Sequence, residues 1–559
     1  MKLYKIEIRN FRGIKSLDLT IGNTTVLIGE NNTCKTSILE ALRFALSVVR
    51  SQRGCSFEPF DFYLPETSSD PSTSEPISIR LTFNIDNEKL KGEFTRAKIA
   101  QVNESKIQVI FKVGASYNRD SQEFVQNWEF QNINGQAISG LRDTILTEFH
   151  NTISYFYLGA LRDAAKQFDA KGTFWRPFLK SAQINPETQQ KIEQQLDEIN
   201  SLIINSHESL NKVVNVLKDI DSIVPTKNKN TDWVSVEAVP GRIFDILAKA
   251  QVKLNAETGA KIPLTRHGEG TQSLAVLMLF KAYLQVQKDL PFIIALEEPE
   301  AHLHPSAIRS LWKIIETLPG QKIISTHSGE ILSEVPFDSI ARLNKNQGTI
   351  TVHKLKDAQI DPDDLRKFNY KIKNDRGSLL FARCWILGEG QTEATIIPAA
   401  AKILGYDFEQ LGIRVVGSQE GCPISPLLSA ANTLGIQWVV LADHDDQGLA
   451  NIKNAKQFLN GRNEAETLFT AKPEKTIESY LCNNGFLSIY EKLKSDQKWE
   501  KIKVDKSDPA YPQRIAEALP DKKKTQAAME VVKIMDEENI IPSLIKDVIE
   551  AAVKAAQEI

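Results

Sequence analysis

The sequence predicts an α/β chain made of two sheet-centred regions in series, and three observations carry that prediction. An apolar run, "NTTVLIGE" (Asn23 to Glu30), leads into a glycine-led loop that opens a helix. Two further apolar runs, "FIIAL" at Phe292–Leu296 and "QKIIST" at Gln321–Thr326, end in polar turns. The same grammar then starts again, with "CWILGEG" from Cys384 and "QWVVLAD" at Gln437–Asp443.

Taken in order, "KLYKIEIRNF" and "GIKSLDLTI" alternate as paired strands do. After the loop, Ile38, Leu39, Leu42, Leu46 and Val49 recur at helical spacing. A Ser/Pro/Thr-rich surface loop, Leu64 to Pro76, precedes two alternating runs, "ISIRLTFNI" and "KIQVIFKV", which add an antiparallel part. From Pro186 to Ile220 the spacing is helical, through Ile192, Leu196, Ile199, Ile203, Leu210, Val213, Leu217 and Ile220. That stretch fits a helical hairpin or dimerisation arm, and equally an amphipathic helix folded on its own domain. The α/β character returns after Gly259, and no tandem repeat is evident.

Charge narrows the functions. With 68 basic and 71 acidic residues in 559, net -3, bulk coating of nucleic acid is excluded, so any such contact comes from local patches. The N-terminus lacks the apolar core of a signal peptide and no apolar run approaches the roughly 18 residues of a membrane span, so a cytoplasmic protein with no membrane partner is expected. Cys34, Cys55, Cys384, Cys422 and Cys482 form no C-x-x-C pair, which disfavours a disulfide framework or a cysteine-rich zinc site.

The loop "GENNTCKTS" (Gly29 to Ser37) approximates G-x-x-x-x-G-K-[ST], with Cys34 where the second glycine belongs. Backbone N–H groups of Gly29, Asn31, Asn32, Thr33, Cys34 and Ser37 are candidates to cradle phosphates, Lys35 adds charge, and the Thr36 hydroxyl suits Mg²⁺. A Cβ and sulfur at position 34 are expected to lower affinity or rate, because backbone normally approaches phosphate closely there. In "FIIALEEPEAHLHP", Glu297 is a candidate for holding Mg²⁺ through water and Glu298 for polarising the attacking water. His327, ending "KIISTH", is placed to sense a γ phosphate. "RHGEGTQSL" (Arg266 to Leu274) is a Gly/Ser turn opening a helix, with Ser273 the candidate to touch a nucleotide held by a second subunit.

Loop, turn, "EEPEAHLHP" and "STHS" together resemble the ATPases of the ABC/SMC/RecF type, in which two heads sandwich ATP. The resemblance implies a homodimer or higher homo-oligomer. It also puts "YLGALRDA" (Tyr157 to Ala164) near the nucleotide with Arg162 as a phosphate contact, and His302 and His304 in the turn after the acids.

In the second region Glu389 and Glu393 are four residues apart in "EGQTE", and Asp443 and Asp445 flank His444 in "ADHDDQG". Acids gathered at strand ends repel unless a cation lies between them, and hard oxygen ligands suit Mg²⁺ or Mn²⁺. The pair "E-G-x-T-E" and "D-x-D-x-x-G" is similar to the Toprim domain of topoisomerases, DnaG-type primases and certain nucleases. By that resemblance Glu478 fits a later metal-ligand position and Lys524 a contact to the scissile phosphate, with Lys523 in competition.

An ABC-type head with an inserted helical arm followed by a Toprim domain resembles the OLD (overcoming lysogenization defect) family of nucleases, over nearly the whole chain. The expected division is 1–168 and 256–375 for the head, 169–255 for the arm, and 376–559 for the Toprim domain with C-terminal helices. The resemblance implies an ATP-regulated, metal-dependent DNA endonuclease or nickase linked with antiphage defence, with a defence partner protein or nucleic acid. The alternatives are a DNA-repair ATPase that clamps DNA without cutting it, and a topoisomerase, for which no separate DNA-binding module bearing a tyrosine nucleophile is seen.

Overall fold

The structure, a computed structural model, describes residues 1–50, 57–66, 70–104, 106–118, 121, 123–159, 185–206, 253–255, 261–263, 266–286, 291–301, 303–355, 360–375, 377–417 and 422–558. Arg162, His302, Cys55 and the arm positions Leu210, Val213, Leu217 and Ile220 lie outside the described residues.

The head strands are β1 (Lys2–Phe11), β2 (Ile14–Thr20), β3 (Thr24–Ile28), β4 (Ile77–Asn84), β5 (Ala100–Asn103), β6 (Lys106–Asn118), β7 (Glu123–Gln131) and β8 (Ser154–Leu158). A two-stranded ribbon, β9 (Lys253–Asn255) and β10 (Lys261–Pro263), stands apart; then come β11 (Phe292–Glu297), β12 (Gln321–Ser325), β13 (Ile340–Asn346) and β14 (Thr349–Lys354). All but the ribbon form one sheet in the order β5-β6-β4-β1-β2-β14-β13-β3-β12-β11-β8, with β7 on β6.

This sheet has two characters. Strands β8, β11, β12, β3 and β13 run parallel, and β3, β11 and β12 are buried on both faces, which is why those three read as apolar runs. Beyond them β1, β2, β4, β5, β6 and β7 pair antiparallel, and their alternation marks one solvated face. Of the arm, a helix spans Pro186–Ser206; Leu196 is buried, while Ile199 and Leu202 are 47% and 72% exposed.

The second sheet is wholly parallel, β16 (Ile413–Gly417), β15 (Cys384–Gly388), β17 (Gln437–Ala442), β18 (Leu468–Thr470). Alternate residues of its central strands feed different cores. Trp385, Leu387, Trp438 and Val440 join the cluster that continues into the head through Ile331, Leu332, Leu355 and Phe368. Cys384, Ile386, Val439 and Leu441 face the C-terminal helices, including Ile545, Val548, Ile549 and Ala552. The two regions therefore share a core. Each fully buried aromatic of this kind contributes about 2–3 kcal/mol, so the junction is a packed interface rather than a linker.

One arginine fastens that junction. Arg342 on β13 sits in register with Ile28, the last residue of β3. Its guanidinium donates to the carbonyls of Leu380 (3.2 Å), Ala382 (2.8 Å), Leu434 (2.8 Å) and Gly435 (3.2 Å), all in the Toprim half. Burial pushes its pKa down to about 10, so it stays charged at neutral pH among oxygen acceptors.

Candidate active sites

Parallel strands deliver their loops at one edge, and the head's candidate residues stand there: the phosphate-type loop after β3, the acids after β11, His327 after β12, and Tyr157 near the end of β8. Lys35 opens the helix Lys35–Arg50 and is buried, its Nζ donating to Gly29 O (2.9 Å), Glu30 O (2.8 Å) and Thr33 Oγ1 (3.3 Å). Burial pushes its pKa down to about 8, against the pull of Glu298. A polyphosphate would offer that ammonium a stronger partner than neutral carbonyls do.

Cys34 carries φ +63°, the left-handed conformation a glycine adopts without cost. Its Sγ donates to Asn32 O at 3.7 Å and lies beside Gly13, where an added Cβ would be 2.8 Å from the sulfur, and the side chain packs on the head's antiparallel core.

Glu297 receives two hydroxyls, Thr36 Oγ1 on Oε1 and Tyr157 OH on Oε2, each at 2.5 Å. The Tyr157 contact has no motif, although its segment was singled out; burial and Glu297 raise its pKa, so it stays a donor. Glu298 has φ +41°, a strained conformation of the kind found at functional positions, and its carboxylate lies 3.7 Å from His327 Nε2. Burial, then the charge of Lys35, lowers the His327 pKa, so the imidazole is neutral at pH 7. Its backbone N–H and the Thr326 hydroxyl both donate to Oε1 of the half-buried Glu300, at 3.1 and 2.5 Å. His304 is occupied as a helix cap, its Nδ1 accepting from Ser306 N at 3.3 Å.

The helix Glu269–Val286 begins within the Gly/Ser turn, and Ser273 lies on its buried stripe with Val276, Leu277, Phe280 and Leu284, its hydroxyl without a partner among the described residues. Arg266, Gly268, Glu269 and Thr271 are the exposed residues of the turn.

In the second sheet, Glu389 follows β15 and Asp443 follows β17, on adjacent strands. Glu389 Oε1 accepts from Asp443 N at 3.3 Å; Asp443 Oδ1 accepts from Ile477 N at 2.8 Å. Glu393 Oε2 accepts from Gly390 N at 3.1 Å at the start of its helix. Glu478 Oε1 accepts from Thr392 Oγ1 at 3.1 Å and lies 3.2 Å from Lys524 Nζ. Lys523 precedes the helix Lys524–Glu538 as its cap, so Lys524 is the lysine against the acids. Gly448 is required by close approach, since a Cβ there would meet Asp443 O at 2.1 Å.

Glu389, Glu393 and Glu478 are each less than a tenth exposed. Burial, reinforced by Glu478 and Glu389, pushes Glu393 up to about 7; burial and Glu389 push Asp443 up to about 8. Lys524 is raised because the pull of Glu478 outweighs burial. Asp445 stands differently: its Oδ1 caps the following helix by accepting from Gly448 N at 2.8 Å. Among the described residues no three acids, histidines or cysteines yet converge tightly enough to hold an ion. The chemistry of the donor set nevertheless fits a hard divalent cation, since buried carboxylates with a raised proton affinity share an excess of negative charge. Among the described residues no helix is long and apolar enough to cross a membrane.

Comparison with known proteins follows the same division. A family model described as protein of unknown function DUF2813 matches residues 1–378, and an overcoming lysogenization defect protein-like Toprim model matches 380–445. The uncharacterized protein YbjD of Escherichia coli K12 is 27% identical, over 88% of this chain and 89% of that protein. The Old nuclease of Escherichia phage P2 is 25% identical, over 90% and 87%, and endonuclease GajA of Bacillus cereus VD045 is 24% identical, over 82% and 78%. With a Toprim domain of the OLD kind following the matched region, the chain belongs to the DUF2813 family.

Proposed function

We propose that this protein is an ATP-binding and ATP-hydrolysing, divalent-metal-dependent DNA endonuclease of the OLD type, cutting one or both strands. The observation that carries it is the gathering of Glu389 and Asp443, which follow adjacent parallel strands, with Glu393 and Glu478 at the starts of helices; the three glutamates are buried and Lys524 lies against Glu478. The relatives named nucleases support the same reading. Mg²⁺ or Mn²⁺ bound by these acids, with Asp445 turned from its cap, would supply the positive charge that phosphodiester hydrolysis requires. The protein's own part is to exclude bulk water around the acids, to hold Asp443 through Ile477 N, and to bring the Lys524 ammonium to a phosphate oxygen. In the head, Lys35 would bind the phosphates of ATP, Thr36 and Glu297 would hold its Mg²⁺, Glu298 would orient water and the neutral His327 would face the γ phosphate. Two copies of the head would enclose ATP between them, and the setting would be cytoplasmic antiphage defence.

Supercoiled plasmid incubated with the protein and Mg²⁺ or Mn²⁺ tests this directly. Nicked or linear product with wild type, lost in Asp443→Ala, is expected. Unchanged plasmid under both metals, with and without ATP, would instead favour a DNA-clamping ATPase, and religated topoisomers a topoisomerase.

A further inference from the structure

Glu30, the second residue of the nucleotide loop, is held from the other sheet. Arg383, immediately before β15, donates from Nε to Glu30 Oε1 and from Nη2 to Oε2, a two-pronged pair across the junction. Arg383 is itself fixed by backbone bonds, its N–H to Gly412 O at 2.7 Å and its carbonyl accepting from Gln437 N at 2.8 Å. These lie at the edge of the Toprim sheet opposite the acids.

Inside the loop, the Glu30 carbonyl accepts from Lys35 Nζ at 2.8 Å, from Thr33 Oγ1 at 2.8 Å and from Thr33 N at 3.3 Å. Moving Glu30 therefore moves the oxygens around Lys35. Its carboxylate is also a poor neighbour for a polyphosphate unless its charge is cancelled. The two side chains are 35% and 37% exposed, so water screens the pair and its effect is moderate.

We propose that Arg383 is a positioning residue for the nucleotide loop, supplied by the Toprim half: it neutralises Glu30 and anchors it, so the head's affinity for a nucleoside triphosphate depends on a residue of the nuclease domain. This rests on the ATP-binding reading above. By linkage, a nucleotide that favours the engaged pair also stabilises the start of β15, the strand that carries Glu389 at its far end.

Titration of the full chain with Mg²⁺ and a non-hydrolysable ATP analogue decides it. Arg383→Ala is expected to bind about fivefold more weakly, toward the lower end of measured site couplings. Adding Glu30→Gln to that variant restores part of the affinity, because the uncancelled charge is gone while the anchor is still missing, and Arg383→Lys falls between wild type and Arg383→Ala. Turnover at saturating ATP changes by less than about twofold, since the residue touches no reacting atom. Folded Arg383→Ala protein that binds like wild type, or a double variant that is not rescued, overturns the proposal. If Arg383→Ala does not fold, Glu30→Gln alone decides: binding at least as tight as wild type supports the proposal and weaker binding overturns it. Absence of binding by the wild type would overturn the ATP-binding reading itself.

Discussion

The two candidate sites use the same architectural position, the outlet of parallel strands, and opposite electrostatics. The head's site is built of donors and exposed enough to admit a charged ligand: Lys35 rests on loop oxygens and Glu297 is capped by two hydroxyls. The Toprim site buries carboxylates beside one another and leaves Glu393 and Asp443 with raised proton affinity. A site of donors is complete without its ligand; a site of buried like charges is not. The first therefore suits a substrate that comes and goes, and the second a resident cation.

The sharpest way to break this contrast is to damage one site and read both. Asp443→Asn should reduce plasmid cleavage by more than about 100-fold, the upper end for groups that merely support metal ligands, while phosphate release from ATP persists. Chelating divalent ions with EDTA should stop cleavage in wild type, and a variant whose ATP hydrolysis fell in parallel with Asp443→Asn would show the sites to be one unit. Next in size is the junction: Arg342→Leu strands four carbonyls and should cost about 3 kcal/mol, seen as a lowered Tm. An unchanged Tm would mean that the shared core alone holds the halves together.

A smaller effect is expected at His353, whose Nδ1 lies 3.2 Å from Thr433 O across the same junction. Burial, then the charge of Arg342, depresses its pKa below 6.5. For a depressed base the stabilisation is complete above the unfolded pKa and is lost as pH falls through the folded one. Thermal unfolding compared at pH 7.5 and pH 5 should show wild type losing stability relative to His353→Gln as the pH falls, on top of whatever the raised Glu393 and Asp443 contribute equally to both. A pH profile identical in the two proteins would remove His353 from the account. The smallest change is Cys34→Gly: release from φ +63° gains roughly 1 kcal/mol, partly offset by glycine's greater freedom when unfolded. Nucleotide binding should strengthen slightly as well, since backbone normally approaches phosphate closely at this position; equal affinity in the two proteins would show the side chain to be neutral there.

Local patterns were legible where a residue's task repeats along the chain. Alternation marked β1, β2, β4 and β6, and continuous apolar runs marked β3, β11 and β17, because burial on one or two faces is written directly into periodicity. The strand-end acids were legible through their spacing. The burial of Ser273 was less legible, because a Gly/Ser turn does not reveal where its helix begins, and one helical turn decides between solvent and core; the stripe through Val276, Leu277 and Phe280 was the available signal. Arg342 and Arg383 had no comparable signal, and Tyr157 had only the resemblance that puts its segment near the nucleotide. Each acts on a partner far away in sequence, Arg383 on a residue 353 positions earlier, and such a pairing exists only once the sheets are assembled.

The fit of Cys34 against Gly13 has a consequence for the family's variation. The sulfur occupies the volume a methyl group at position 13 would need, and Lys345 Nζ, the other close atom, ends a flexible chain that can move aside. The two positions should then covary as an exchange of volume. Relatives that restore glycine in the loop are free to carry alanine in the β1–β2 turn, and those that keep a side chain at 34 are held to glycine at 13.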